Sequence, residues 1–292
     1  MKSSKLVLGT VQFGLNYGIA NTHGKPSVET VKQIIDVAYR HGIRILDTAS
    51  AYGESELVLG TVLHELGLSN SMRIVSKIPS LPNGATDMEA EEFIRKSLLQ
   101  SLENLRVDQL EAVLFHRETD LKYLPLLQKM KTAGFIRKTG VSLDATVPPD
   151  TEKADLIQVP GNVLDRRFRK FMQQAHLHKA EIFVRSVYLQ GLLLMPEEKI
   201  PENLAGVKPY RRKLETLATE NAMPFPELCM RYLLSVPEAN GILTGVDTIE
   251  QLEYNIRIAE KGALPPEIYN AILEAVPMLP EKWIRPALWG KG

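Results

Sequence analysis

The chain has little that would crosslink it, charge it or carry it into a membrane. Cys229 is the single cysteine among 292 residues, which excludes a disulfide framework within the chain and fits a reducing compartment. It falls in an apolar helical pattern and reads as a core residue rather than a nucleophile. Lys and Arg number 35 and Asp and Glu number 35, so the net charge is zero. No electrostatic pull on nucleic acid follows from that balance, and the short cluster Arg211-Arg212-Lys213 reads as a solvated helix face. No apolar run reaches the ~18 residues of a membrane span. Met1-Lys2-Ser3-Ser4-Lys5 runs straight into a short apolar segment, with no signal-peptide core. The expectation is a cytoplasmic protein with neither membrane nor nucleic-acid partner. No low-complexity stretch or linker interrupts the sequence, which argues for one domain over 1–292. There is no Gly-x-Gly-x-x-Gly after an early strand, as an open dinucleotide-binding sheet would normally carry.

What is present is a regular alternation. With 44% hydrophobic and 24% charged residues the chain can bury a sizeable core. Short β-rich apolar runs stand at 6–10, 43–47, 73–78, 112–116, 139–142, 156–159, 182–186 and 241–245. Helical periodicity fills 28–41, 55–66, 89–105, 122–133, 167–179, 209–221, 224–236 and 248–261. Val31, Ile34, Ile35 and Ala38 line one face of the first helix, and Phe93, Leu98, Leu102 and Leu105 one face of the third. Gly42, Gly67 and Gly134 read as stop signals, Ser27, Asp87 and Asp120 as start signals, and Pro224 and Pro226 suit a first helical turn. The fifth unit has room for only a very short helix, between strands seven and eight there is room for two, and an extra helix (267–276) and an irregular tail close the chain. Eight β/α units over this length predict an α/β fold, a (β/α)8 TIM barrel with an extra C-terminal helix and tail; a doubly wound open sheet is the runner-up.

In such barrels the working face is the C-terminal end of the strands. Asp47 ends the second strand, Tyr52 follows it, Lys77 stands at the end of the third and His116 ends the fourth. Taken singly, each has a plain structural reading as cap, salt-bridge partner or surface charge. Together, on three consecutive strand ends, they form a set able to give a proton to a carbonyl. A phenol with a pKa near ~10 is a sluggish acid, and a nearby ammonium favours its phenolate. Lys77 supplies that charge, Asp47 holds Lys77, and the His116 imidazole can orient a carbonyl by hydrogen bonding. None of the four carries electrons, so a hydride donor has to bind above them.

On these residues the sequence resembles the aldo-keto reductases. The resemblance runs through Leu46-Asp47-Thr48-Ala49-Ser50-Ala51-Tyr52-Gly53-Glu54-Ser55-Glu56 with Leu59-Gly60, then Val75-Ser76-Lys77, Leu114-Phe115-His116, Gly140-Val141-Ser142, Gln158-Val159-Pro160 and Leu243-Thr244-Gly245 through Asn255. It implies a barrel, a nicotinamide cofactor and carbonyl reduction, with Tyr52 as general acid, Lys77 and Asp47 tuning it and His116 positioning substrate. The cofactor set it implies is Thr10, Ser142, Gln158, Arg185, Ser186, Gly245, Asp247, Gln251 and Asn255. Three departures stand out. Leu143 replaces the Asn that usually follows the serine at Ser142. Arg185 replaces the aromatic that usually precedes the serine at Ser186; its guanidinium can lie flat against a ring and would favour the reduced, neutral nicotinamide. The segment Gly245-Val246-Asp247-Thr248-Ile249-Glu250-Gln251 has no basic residue to meet a 2′-phosphate, whereas an acidic side chain can accept from a ribose hydroxyl. Either NADH or NADPH is expected, with a lean towards NADH.

Phe13, Tyr17, Trp283 and Trp289 are expected to line the substrate pocket, with Asn16, Asn21 and Tyr188 nearby. A polar loop of Asn16, Tyr17 and Asn21 tilts the expected carbonyl substrate towards a sugar or keto-sugar. A monomer or weak homodimer is expected. Two other readings stay open. One is a cofactor-binding barrel of very slow turnover that serves as a redox-sensing or partner-binding subunit. The other is a metal-dependent hydrolase, which the histidines do not favour: His116 is alone on its strand end, and His176 and His178 sit on a polar helix, so no metal site is expected.

Overall fold

Short apolar strands separated by amphipathic helices bury both faces of a parallel sheet, and the sheet here closes on itself. The computed structural model describes residues 4–19, 21 and 24–290. Its strands are β1 (Leu6–Gly9), β2 (Ile45–Asp47), β3 (Arg73–Ile78), β4 (Leu110–Phe115), β5 (Ile136–Ser142), β6 (Leu156–Pro160), β7 (Glu181–Arg185) and β8 (Gly241–Gly245). They form a closed barrel in chain order, sealed by parallel pairing of β1 with β8 in which Gly9 stands beside Gly245. The helices are α1 (Val11–Gly14), α2 (Val28–Arg40), α3 (Ser55–Glu65), α4 (Asp87–Leu105), α5 (Leu124–Thr132), α6 (Arg169–Leu177), α7 (Lys208–Glu220), α8 (Phe225–Leu234), α9 (Ile249–Glu260), α10 (Pro266–Ala275) and α11 (Glu281–Ile284). The eight-unit barrel is the expected one, with two helices between β7 and β8 and only a single 3-10 turn, Thr151–Lys153, after β5. Among the described residues no helix is long and apolar enough to cross a membrane.

Local signals set the element ends. In α2 the Ser27 hydroxyl accepts from the Thr30 amide at 3.1 Å, Val31, Ile34, Ile35 and Ala38 are buried at helical spacing, and Gly42 leaves the helix with φ +80°. Truncating a buried Ile of this kind to Ala costs about 2–5 kcal/mol. The cap of α4 is Thr86 rather than Asp87: Thr86 and Glu89 form a reciprocal capping box, and Asp87 is the first helical residue. β4 ends one residue before His116, which places the imidazole on the loop side of the strand end.

Strand periodicity positions the site. Inside the barrel Val7, Val75, Ala112, Leu114, Leu156 and Phe183 pack together, with Ile45 and Leu243 against them. Gly140 represents β5 in that interior. A Cβ there would lie 2.0 Å from the Leu156 carbonyl oxygen and 2.3 Å from a Leu114 methyl, so Leu114 fills the room a side chain would need. Side chains two residues apart on a strand share a face. Two residues on from these interior positions, towards the C-terminal mouth, stand Gly9, Asp47, Lys77, His116, Ser142, Gln158, Arg185 and Gly245. All eight line a single cavity of roughly 630 Å³.

Candidate active site

The carboxylate of Asp47 organises the floor of this cavity. One oxygen accepts from Lys77 Nζ at 2.6 Å and the other from the Gln158 side-chain amide. A carboxylate only accepts, which fixes the Gln158 amide with its NH2 towards Asp47 and its Oε1 away. Lys77 Nζ also donates to the Thr48 carbonyl at 2.7 Å. Asp47 and Lys77 are each 2% exposed. Burial opposes the charge of Lys77, but the Asp47 carboxylate and the Tyr52 phenol beside it carry its pKa above the ordinary value.

Tyr52 stands on the turn after β2. The α1 segment lies directly on that turn: a Cβ on Gly14 would be 1.8 Å from the Tyr52 carbonyl oxygen, and one on Gly53, at φ +57°, would be 2.6 Å from the Gly14 carbonyl oxygen. Only glycines allow this approach. Beneath it the Ser55 hydroxyl meets those of Thr10 at 2.9 Å and Thr48 at 3.0 Å and donates to the Thr10 carbonyl. Thr10 thus spends its hydroxyl on the Asp47 carbonyl and Ser55, locking the β1 and β2 loops together at the cavity wall. Lys77 Nζ lies 4.9 Å from the centre of the Tyr52 ring, and the His116 ring meets Tyr52 edge-on with centroids 5.7 Å apart. Burial, then the cations Lys77 and Arg185, push the His116 pKa down to about 4. At neutral pH the imidazole is uncharged and offers one N–H and one acceptor nitrogen.

The structure brings the whole expected cofactor set to the same cavity: Thr10, Ser142, Gln158, Arg185, Ser186, Gly245, Asp247, Gln251 and Asn255 all line it. Ser142 pairs directly with Gln158 across β5 and β6. Gln158 Oε1 is buried without a hydrogen-bond partner among the described residues. A hydroxyl beside an unanswered acceptor matches a carboxamide, so these residues fit a nicotinamide. Leu143 is fully buried and turns no polar side chain to the cavity. The Gln251 side chain accepts from the Asp247 amide at 2.8 Å, which shapes the loop before α9. The Tyr188 hydroxyl donates to Asn255 Oδ1 at 3.1 Å, so Tyr188 holds Asn255 as well as lining the cavity. Arg185 donates through Nη2 to the Leu143 carbonyl at 2.9 Å and to Asp144 at 3.2 Å.

The expected substrate aromatics divide. Tyr17 lines the cavity and accepts at its hydroxyl from Gln190 at 3.0 Å, and Asn21 lines it near Asp247. Phe13, Asn16, Trp283 and Trp289 do not line it. Phe13 is 1% exposed in the core between barrel and helices. The Trp283 indole covers Gly206 so closely that a Cβ there would be 2.0 Å from the ring. Trp289 is buried, and its carbonyl accepts from Asn203 at 3.0 Å. Both tryptophans therefore pin the tail to the 3-10 segment Glu202–Val207 instead of lining the cavity. Gln12, Asp144 and Gln190 line the cavity without having been expected there. Gln12 fills the space over Gly245, where a Cβ would be 2.4 Å from its amide. Asp144 was legible in principle, because it lies two residues past Ser142 on the same inward alternation.

Comparison with known proteins agrees with this geometry. The sequence model described as the Aldo/keto reductase family matches residues 5–277. The chain belongs to the aldo/keto reductases. An L-galactose dehydrogenase of Arabidopsis thaliana is 26% identical over 276 residues, covering 86% of this chain and 84% of that protein. An NADH-specific methylglyoxal reductase of Escherichia coli is 24% identical over 261 residues, covering 75% and 79%. The solved structure of an aldo-keto reductase from Bacillus halodurans in its holo form superposes with a TM-score of 0.78 at 21% identity, over 95% of this chain and 93% of that one, and shows the same fold. As an aldo-keto reductase the chain is an NAD(P)H-dependent oxidoreductase acting on small-molecule carbonyl compounds.

Proposed function

We propose that this reductase converts a hydroxylated aldehyde or ketone to the alcohol with Tyr52 as proton donor and NADH as preferred cofactor. The observation that carries the reading is the buried Asp47–Lys77 pair at 2.6 Å, set against the Tyr52 ring beside His116 on the cavity floor. The nicotinamide cofactor, when bound, supplies the hydride. Ser142 and Gln158 would hold its carboxamide, and Asp247 and Asn255 its adenosine side. The chain's own residues manage the proton. His116, kept neutral, donates an N–H to the substrate oxygen and orients it. Tyr52 Oη gives that oxygen its proton, and the Lys77 ammonium meets the negative charge left on the phenolate. Asp47 keeps Lys77 in place.

The NADH preference rests on charge. The only cationic side chains lining the cavity among the described residues are Lys77 and Arg185, both at strand ends, whereas Asp247 stands by the loop after β8. That loop offers a phosphate no basic partner. The E. coli relative is by its name NADH-specific. Tyr17, Asn21 and Gln190 at the mouth give it a polar character suited to a hydroxylated substrate. Tyr52→Phe tests the central role. Carbonyl reduction should fall by a factor of about 10³, in the middle of the 10²–10⁴ contribution typical of a positioned acid, while cofactor affinity measured by fluorescence titration stays within threefold. Reduction by the variant at a comparable rate would remove Tyr52 from the proton-donor role.

A further inference from the structure

Three of the eight floor residues carry charge: Asp47, Lys77 and Arg185. Asp47 and Lys77 neutralise each other at 2.6 Å. Arg185 finds no partner in the ring. Its counter-ion is Asp144, from the loop after β5, at 3.2 Å, and that carboxylate is held more closely from the other side by Arg285 of the C-terminal tail, at 2.6 Å. Arg285 does not line the cavity. One carboxylate thus serves two guanidiniums, and the one facing the cavity is the weaker-bound. A guanidinium has five N–H donors. Nη2 of Arg185 uses two, and Nη1 reaches the Ser186 hydroxyl only at 3.4 Å, leaving two with no partner among the described residues.

The position is fixed as well as charged. The Asp144 backbone amide donates to Glu118 at 2.7 Å, and its carbonyl accepts from Arg167 at 3.0 Å. The loop carrying the counter-ion is therefore tied down at both backbone atoms, and Arg185 is braced by the Leu143 carbonyl. The field this creates is felt across the floor: Lys77 and Arg185 both act to keep His116 from taking a proton. A preorganised, half-satisfied guanidinium in a cavity wall is a receptor for a planar or tetrahedral oxyanion.

Resting on the reductase reading above, we propose that the substrate is a carbonyl compound that also carries an anionic group, a carboxylate or a phosphate monoester, and that Arg185 receives this group and sets substrate specificity. The test uses two matched pairs of aldehydes, 4-oxobutanoate against butanal and glyceraldehyde 3-phosphate against glyceraldehyde. The readout is the ratio of kcat/KM for the anionic member over the neutral one, which cancels any general loss of rate. The full-length protein should favour the anionic member of at least one pair by tenfold or more, and the pair that responds identifies carboxylate or phosphate. Arg185→Gln should cut that ratio at least tenfold, whereas Arg185→Lys, which keeps the charge but loses the planar fork, should leave a ratio between those of the parent and Arg185→Gln. Equal use of both members, or an Arg185→Gln variant that lowers both equally, overturns the proposal and leaves carbonyl reduction standing. Calorimetric titration with succinate and with succinamide reads the same site without turnover. Succinate should bind the parent at least tenfold more tightly than succinamide for the carboxylate arm, and inorganic phosphate should bind in an Arg185-dependent way for the phosphate arm. Absence of both overturns the anion site even if a carbonyl is reduced, and an anion site in a protein that reduces no carbonyl would overturn the reductase reading alone.

Discussion

Replacing Lys77 by methionine strands the Asp47 carboxylate in the barrel mouth. The two groups are 2.6 Å apart and each is 2% exposed. At an effective dielectric of about 20 their attraction is about 6 kcal/mol, set against a desolvation cost of several kcal/mol for each ion. The intact pair thus contributes little net stability, whereas removing one partner costs about 3–5 kcal/mol. The stranded carboxylate has one escape, which is to take up a proton. Protonating an ordinary carboxylate at pH 7 costs about 4 kcal/mol, roughly three pH units at about 1.4 kcal/mol each. That figure caps the stranding cost at pH 7, and the cap falls by about 1.4 kcal/mol per unit of acidification. The sign follows from proton counting: the folded variant binds more protons than its unfolded chain, so its stability relative to the parent rises as pH falls. Urea unfolding followed by circular dichroism at pH 5.5, 7.0 and 8.0 measures this. Lys77→Met should lose about 3–4 kcal/mol at pH 7 and about 2 kcal/mol at pH 5.5. The double variant with Asp47→Asn should lose less than the sum of the two single losses by about 2 kcal/mol or more. A loss independent of pH, together with additive single losses, would refute the buried-pair account.

Four other outcomes follow from the same geometry. Because His116 is held near 4, a rate that depends on its neutral form should stay flat from pH 7.5 down to 5, and an inflection near 6.5 in kcat/KM would contradict the assignment. In stability terms the unfolded chain takes up this proton near 6.5 while the folded chain refuses it until about 4, so stability drops with acid across that window; His116→Asn should remove that part of the drop in the urea midpoint. Side-by-side fluorescence titration should find NADH bound at least tenfold more tightly than NADPH, about 1.4 kcal/mol, and tighter NADPH would mean that a phosphate partner lies outside the loop after β8. Gly140→Ala puts a methyl within 2.0 Å of the Leu156 carbonyl oxygen and should destabilise by about 1–3 kcal/mol, read as a lowered Tm; an unchanged Tm would show that Leu114 and β6 can shift to make room.

The parts of the site that were legible in the sequence are those governed by strand alternation. Asp47, Lys77, His116, Ser142, Gln158 and Arg185 sit at or near strand ends, and a period of two carries each inward from the interior position below it, such as Leu156 below Gln158, Phe183 below Arg185 and Gly140 below Ser142. Barrel closure then brings positions far apart in the chain to one cavity without any further information. What alternation does not govern was not legible. Trp283 and Trp289 follow the last strand, where an indole is as well suited to covering a glycine as to meeting a substrate, and only the approach of the Glu202–Val207 segment decides that Trp283 lies on Gly206. Gln12 enters the cavity because Gly245 leaves it space, a relation between α1 and the end of β8, more than 200 residues apart in sequence. Arg185 shows the boundary most clearly. Its inward direction follows from parity, but its electrostatic state depends on Asp144 being shared with Arg285, and that sharing exists only because the tail folds back to the rim of β5. A residue that reads as a substitute for a stacking aromatic becomes, once its partners are known, a cation in the wall of the cavity whose charge reaches His116.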